Sequence, residues 1–278
     1  NPVCIPARMG LLTGLGCRHH QFYDNRWAPD APPLSYKLPT FPRILSDSGY
    51  DTCAVGKMHF QPERRASGFD HFFAMEEGPS SREADSYLQF LKEQGYGRVQ
   101  SVHGVRHCLY MQPQRSLLPE ALHGSRWVAD RSIQYLDEQR GRRPFLLWTS
   151  FIHPHPPFNA PDEWAEMYAG KLPAPAVPKT PLGLLAEENK TLGDLADDAS
   201  LQRMRELYAA CVSYCDHQVG RIVEKLKELE LYDDTLILFT SDHGEMLGDL
   251  GTYQKFLPYD PSCKVPFIVH WPKQVAAG

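Results

Sequence analysis

The sequence predicts an α/β fold: a parallel or mixed sheet with helices on its faces. Short continuous apolar runs at 52–55, 145–151, 235–240 and 265–271 have the character of strands covered on both faces. Stretches of helical spacing alternate with them at 41–48, 86–94, 120–139 and 201–229, the pattern that lays helices onto a mostly parallel sheet. The 24 prolines and 20 glycines predict long, shaped loops between these elements, where sites tend to sit.

Taken in order, residues 6–13 suit a short helix, with Pro6 in its first turn and Gly14 at its end, so that Cys4 falls just before it. Residues 16–38 read as loop. The helix over 41–48 stops at Gly49, and the strand over 52–55 stops at Gly56. Residues 60–82 read as loop, the helix over 86–94 stops at Gly95, and 96–118 show no clean period. In the helix over 120–139, Trp127, Ile133, Tyr135 and Leu136 fall on apolar positions. Residues 153–185 form a proline-rich loop with a short helix near 162–168. The longest periodic helix, 201–229, ends in a charged run that reads as a solvated face. Cys211 and Cys215 share one face of it as core packing, and Asp216 and His217 read as structural or exposed. The chain shows no internal repeat and no domain boundary.

Composition excludes several classes. With 42% hydrophobic and 23% charged residues the chain is globular, and a net charge of −5 argues against a nucleic-acid surface. No apolar run approaches the roughly 18 residues of a membrane-spanning helix. The 7 cysteines include no C-x-x-C pair, so they read as reduced thiols rather than a zinc ribbon or a redox motif.

Ligands of such sheets bind beyond the carboxyl ends of the strands. There the sequence places Gly56-Lys57-Met58-His59, then His153-Pro154-His155-Pro156-Pro157-Phe158, then Ser241-Asp242-His243-Gly244-Glu245. Lys and Asp are rarely buried without a partner, so three such strand ends point to a shared site rather than to packing. The cations Arg8, Lys57, His59, His155 and Lys255 suggest an anionic ligand. Asp242 beside His243 suggests a hard divalent metal. Cys4 before a helix start stands where a thiolate or a bound anion gains from free backbone N–H groups. By position His153 and His155 are equal candidates. Glu245, Asp249 and Asp260 read as turn or supporting residues. Together these residues describe a metal-assisted hydrolase acting on a phosphate- or sulfate-like group.

Cys4-Ile5-Pro6-Ala7-Arg8 followed by Leu12-Thr13-Gly14 resembles the sulfatase signature C-x-P-x-R with its downstream T-G. Gly49-Tyr50-Asp51-Thr52 through Gly56-Lys57-Met58-His59 resembles the second signature, G-Y-x-T-x-x-x-G-K-x-H. Pro154-His155-Pro156-Pro157-Phe158 is similar to the family's P-H-x-P-F segment, and Ser241-Asp242-His243-Gly244 with Lys255 to its S-D-H-G stretch and following lysine. The resemblance spans residues 1–278. It implies an alkaline-phosphatase-like sandwich with a central, mostly parallel sheet, read here as one sulfatase catalytic domain truncated at both ends. The family's first strand, which carries two adjacent Asp metal ligands, and its smaller C-terminal part are expected to lie outside the chain.

The resemblance further implies that Cys4 is oxidised to Cα-formylglycine by a formylglycine-generating enzyme that reads Pro6 and Arg8. One hydroxyl of the hydrated aldehyde attacks sulfur, and the other loses its proton to expel sulfate. Arg8 stabilises the formylglycine, Lys57 and Lys255 hold the sulfate oxygens, and His59 accepts the proton that drives release. His155 faces the leaving oxygen as acid or hydrogen-bond donor. Asp242 and His243, with residue 4, ligate a divalent cation, Ca²⁺ in most sulfatases, with Mn²⁺ or Mg²⁺ as alternatives. His243 in place of the Asn of many relatives points toward bacterial arylsulfatase, choline-sulfatase-like and phosphonate monoester hydrolase branches. The expected function is hydrolysis of small sulfate esters. Phosphonate or phosphate esters, or an inactive fragment, are the alternatives, and a cytoplasmic or periplasmic bacterial location is open.

Overall fold

The computed structural model describes residues 1–25, 38–60, 67–106, 112–174 and 197–275. Parts of the sequence-read loops 16–38, 60–82, 96–118 and 153–185 lie outside them, as does His107. The helices among them are α1 (Cys4–Thr13), α2 (Cys17–His20), α3 (Phe41–Asp47), α4 (Ser86–Glu93), α5 (Gly124–Gln139), α6 (Asp162–Ala165), α7 (Asp198–Glu228) and α8 (Asp260–Cys263). The strands are β1 (Asp51–Gly56), β2 (His71–Ala74), β3 (Phe145–Ser150), β4 (Ile237–Thr240) and β5 (Phe267–His270).

β1 is the centre of a parallel sheet ordered β2-β1-β3, in register from Cys53↔His71 to Gly56↔Ala74 on one side and from Asp51↔Phe145 to Gly56↔Ser150 on the other. The run Thr-Cys-Ala-Val is buried throughout, as a strand paired on both edges requires. One face packs on α4, α5 and the C-terminal half of α7, through Cys53, Val55, Leu88, Trp127, Leu136 and Leu226. The other packs on α1, through Ala54, Met58, Ile5, Met9 and Leu12. A third cluster joins α6 to the first half of α7, where Cys211 is buried as a packing thiol. Asp216 and His217 are exposed on the same helix. No described helix is long and apolar enough to cross a membrane.

Several expectations are corrected. α1 begins at Cys4, with Val3 as its N-cap, so Cys4 is the first helical residue and not the residue before the helix. β2 lies inside the stretch read as loop; four residues are too few to show a period, and pairing with β1 makes them a strand. Residues 120–122 form a separate 3₁₀ turn, and α5 starts at Gly124 under a His123 cap. The apolar run of β3 is only half-buried along 145–149, because β1 is its one partner among the described strands. The expectation that the strand over 235–240 shares a sheet with β1 and β3 does not hold among the described residues. β4 pairs antiparallel with β5 in a separate ribbon, Ile237↔His270 to Thr240↔Phe267, which leaves Phe267 67% exposed. Apolar runs reveal that a strand exists; they carry no information on its partner.

Candidate active site

The carboxyl ends of β1, β3 and β4 and the start of α1 meet at one point. Gly56 ends β1 at φ 98°, and a Cβ there would lie 1.9 Å from the Ser150 carbonyl oxygen at the end of β3, so only glycine fits. The Lys57 amide donates to that same carbonyl at 2.9 Å. Lys57 and Lys255 are each 2% exposed and Cys4 1%, which makes this a buried cluster of charge.

Arg8 ties the three sources together. Its Nε donates to Asp242 Oδ2 at 2.7 Å, and its Nη1 to the Lys57 carbonyl at 2.7 Å and to Ser150 Oγ at 3.0 Å. Burial raises the Asp242 carboxyl, but Arg8, then Lys57 and His243, outweigh it and hold the group far below the ordinary carboxylate range. Cys4 Sγ lies 3.0 Å from His243 Nε2. Burial pushes the Cys4 thiol up, and Lys57, with the neighbouring imidazoles of His155, His243 and His59, pulls it well below the usual thiol range. Residue 4 thus sits where negative charge is favoured.

Backbone carbonyls fix two imidazole tautomers. His243 Nδ1–H donates to the Gly244 carbonyl at 2.7 Å and His155 Nδ1–H to the Pro156 carbonyl at 2.9 Å. A carbonyl only accepts, so in each ring Nε2 is left to face the cluster. His155 Nε2 accepts from Lys255 Nζ at 2.8 Å, and burial lowers this imidazole to about 4, so it is neutral at pH 7. The equal claims of His153 and His155 separate here. His153 is turned away, between Ser125 Oγ at 3.1 Å and Asn159 Oδ1 at 2.8 Å. Lys255 sits between Gln254 and Phe256, at φ 63° and 80°, a costly backbone that turns its side chain inward.

Cys4, Asp242 and His243 are the described residues whose potential ligand atoms lie within 4.8 Å of one another. A carboxylate oxygen and an imidazole nitrogen suit a divalent cation. The thiolate of unmodified Cys4 suits a softer ion than Ca²⁺, whereas an oxygen at the same position suits Ca²⁺. With an oxygen at residue 4 these residues would supply three of the roughly six ligands or more that such a cation takes.

Sequence reasoning missed an acidic pair at the end of β2. Glu76 Oε1 accepts from the Met58 and His59 amides, both at 2.9 Å, and so braces the left-handed turn of His59, at φ 55°. Glu77 forms ion pairs with Lys57 and with Arg106 at 2.8 Å, and its Oε2 lies 3.4 Å from His155 Nε2. Two acids at a strand's carboxyl end were the available signal, but the strand itself was not legible. Glu245 is half-buried in the same region with its Oε1 turned inward, and desolvation pushes it up to about 7. Asp249 anchors its loop to Arg205 at 3.2 Å, and Asp260 pairs with Lys264 on the surface at 2.6 Å.

A family model described as Sulfatase matches residues 1–277, and the chain belongs to that family. An arylsulfatase of Clostridium perfringens is 30% identical over 299 residues, covering 100% of this chain and 60% of the relative. A choline-sulfatase of Rhizobium meliloti is 28% identical, covering 98% of this chain and 54% of the relative. The chain thus spans little more than half the length of these relatives. Among solved structures, a phosphonate monoester hydrolase from Silicibacter pomeroyi superposes with a TM-score of 0.76 at 23% identity, over 97% of this chain and 58% of that one. That likeness shows the fold: an alkaline-phosphatase-like sheet flanked by helices.

Proposed function

We propose that the protein carrying this chain hydrolyses sulfate esters, with Cys4 as the residue converted to formylglycine by a modifying enzyme. The observation that carries the reading is the convergence of Arg8, Lys57, Lys255 and the Nε2 atoms of His155 and His243 around one buried residue 4. Four separate chain segments contribute, and each brings a motif of the family. The aldehyde at residue 4, once hydrated, would supply a hydroxyl as the nucleophile. Asp242 and His243, with that oxygen, hold a divalent cation, Ca²⁺ before Mn²⁺ or Mg²⁺, and it supplies Lewis-acid stabilisation of negative charge.

The chain's own side chains do the rest. Lys57 and Lys255 are fixed donors for the sulfate oxygens as charge accumulates, and burial makes them worth more than in water. Arg8 keeps Asp242 ionised and oriented. His59 has an unpartnered Nδ1 in the buried site and is the candidate to take the proton when sulfate leaves. His155 can meet a leaving oxygen only through Nε2, because Nδ1 keeps its proton on Pro156.

A second reading is phosphonate or phosphate ester hydrolysis. Both groups are tetrahedral anions that this cation set can hold. Protein produced with the formylglycine-generating enzyme, assayed against one aryl sulfate and one aryl phosphonate, separates the readings. Faster turnover of the sulfate, lost in Cys4→Ala, is expected. Faster turnover of the phosphonate selects the second reading, and no Cys4-dependent turnover of either leaves the chain an inactive part of such an enzyme.

A further inference from the structure

The family signatures leave the end of β2 unexplained, although it supplies two buried carboxylates. Glu76 serves backbone amides. Glu77 is different: its ion-pair partners among the described residues are side chains that carry charge or can carry it, Lys57, Arg106 and His155. Burial raises its carboxyl, but His155, Lys57 and Arg106 hold it well below the ordinary range, so it is ionised. Around residue 4 stand the cations Arg8, Lys57, Lys255 and, one step outward, Arg106. Asp242 is already committed to Arg8. Glu77, in direct ion pair with Lys57, is thus the largest anionic offset to it, ahead of residue 4 and Asp242.

We propose that Glu77 is a positioning residue that holds the Lys57 ammonium on the anion site and offsets its charge, so that the pocket releases the tetrahedral anion it binds. The proposal rests on the reading of Lys57 as a sulfate-holding group. A buried ammonium without a carboxylate lacks a counter-ion. An anion arriving beside it then gains what the carboxylate had supplied. With Glu77 present, Lys57 is already satisfied and can share a donor with sulfate without trapping it. A merely structural role for Glu77 makes the opposite prediction, since loosening the pocket weakens binding.

The test is calorimetric titration of the chain with inorganic sulfate. Glu77→Gln is expected to bind sulfate about tenfold tighter than the unsubstituted chain. Glu77→Asp, which keeps the charge, is expected to stay within about threefold of it. Lys57→Met weakens binding, and in that background the effect of Glu77→Gln shrinks below about threefold. Sulfate binding by Glu77→Gln alone supports the proposal equally. Unchanged or weaker binding by Glu77→Gln, with Lys57→Met still weakening it, overturns the proposal and leaves the sulfate-site reading intact. Equal binding by Lys57→Met and the unsubstituted chain overturns both. If Glu77→Gln does not fold, recovery of the melting temperature in the Glu77→Gln/Lys57→Met double variant supports the pairing, and no recovery overturns it.

Discussion

Arg8 shows how one side chain serves packing and chemistry together. It is 6% exposed and satisfies a carboxylate, a backbone carbonyl and a hydroxyl from three separate segments. Arg8→Ala leaves Asp242 as a buried carboxylate without its partner, and is expected to cost about 3–5 kcal/mol in urea unfolding. Arg8→Lys recovers only part of this, because a single ammonium cannot reproduce the fork that reaches Asp242 and Ser150 together. Cys4 carries the second prediction at this scale. In a host with the modifying enzyme, the peptide containing Cys4 is expected to lose about 18 Da, or to change little in mass if the aldehyde is hydrated. Peptide mass spectrometry reads this, and an unmodified thiol from a competent host counts against the assignment.

The strand ends that carry the motifs were legible because two independent signals coincide there: a buried apolar run, and charged residues straight after it. Lys57, His155 and Asp242 were found that way. Glu76 and Glu77 were not, because β2 is a four-residue strand whose identity comes from its neighbour β1 rather than from its own sequence. By position His153 and His155 are equal and the P-H-x-P-F resemblance favours His155; the ring direction that turns His153 away is something spacing cannot give. The β4–β5 ribbon was invisible for a further reason, since strand partnership is a property of the fold and not of either segment. Gly56 gives the prediction at this scale. In Gly56→Ala the new Cβ meets backbone at 1.9 Å, and φ 98° is strained for any L side chain. A loss of about 3 kcal/mol or more in denaturant unfolding is expected, with Lys57 displaced. A change below about 1 kcal/mol would mean that the β1–β3 contact yields more easily than its geometry implies.

Across the whole molecule, buried ionisable groups pull stability in opposite directions as pH changes. Burial lowers His103 to about 3 and His155 to about 4, and lowers His123 and His153 as well. These imidazoles are neutral when folded, so the unfolded chain binds more protons below about pH 6.5. Their contribution is complete above that pH and is lost as pH falls toward their folded values. Glu245 and Asp85, raised by burial to about 7 and about 6, act oppositely, because the folded state holds their protons and their contribution fades as pH rises through those values. The four imidazoles outweigh these two carboxyls, so the combined contribution of the six groups is expected to fall from pH 7 to pH 5. His103→Gln exposes one side of the balance. Its stability deficit relative to the unsubstituted chain is expected to narrow by about 2 kcal/mol from pH 7 to pH 5, at about 1.4 kcal/mol per unit below pH 6.5. Urea titrations at both pH values check the sign, and a constant deficit would show that His103 titrates alike in both states.

The shared ending of β1 and β3 at Gly56 and Ser150 has a consequence for how such a protein can diversify. The chemistry is assembled from brief stretches at 4–8, 57–59, 153–155 and 242–255, all indexed to that one line of paired backbone. The loops in the intervening spans can lengthen or shorten without moving the index, so long as the helices packed on the sheet keep their places. A library that varies exposed loop residues while leaving β1 and β3 untouched would therefore change the protein's outer surface around an unchanged centre. A single-residue insertion into either strand would slide the register and scatter that centre.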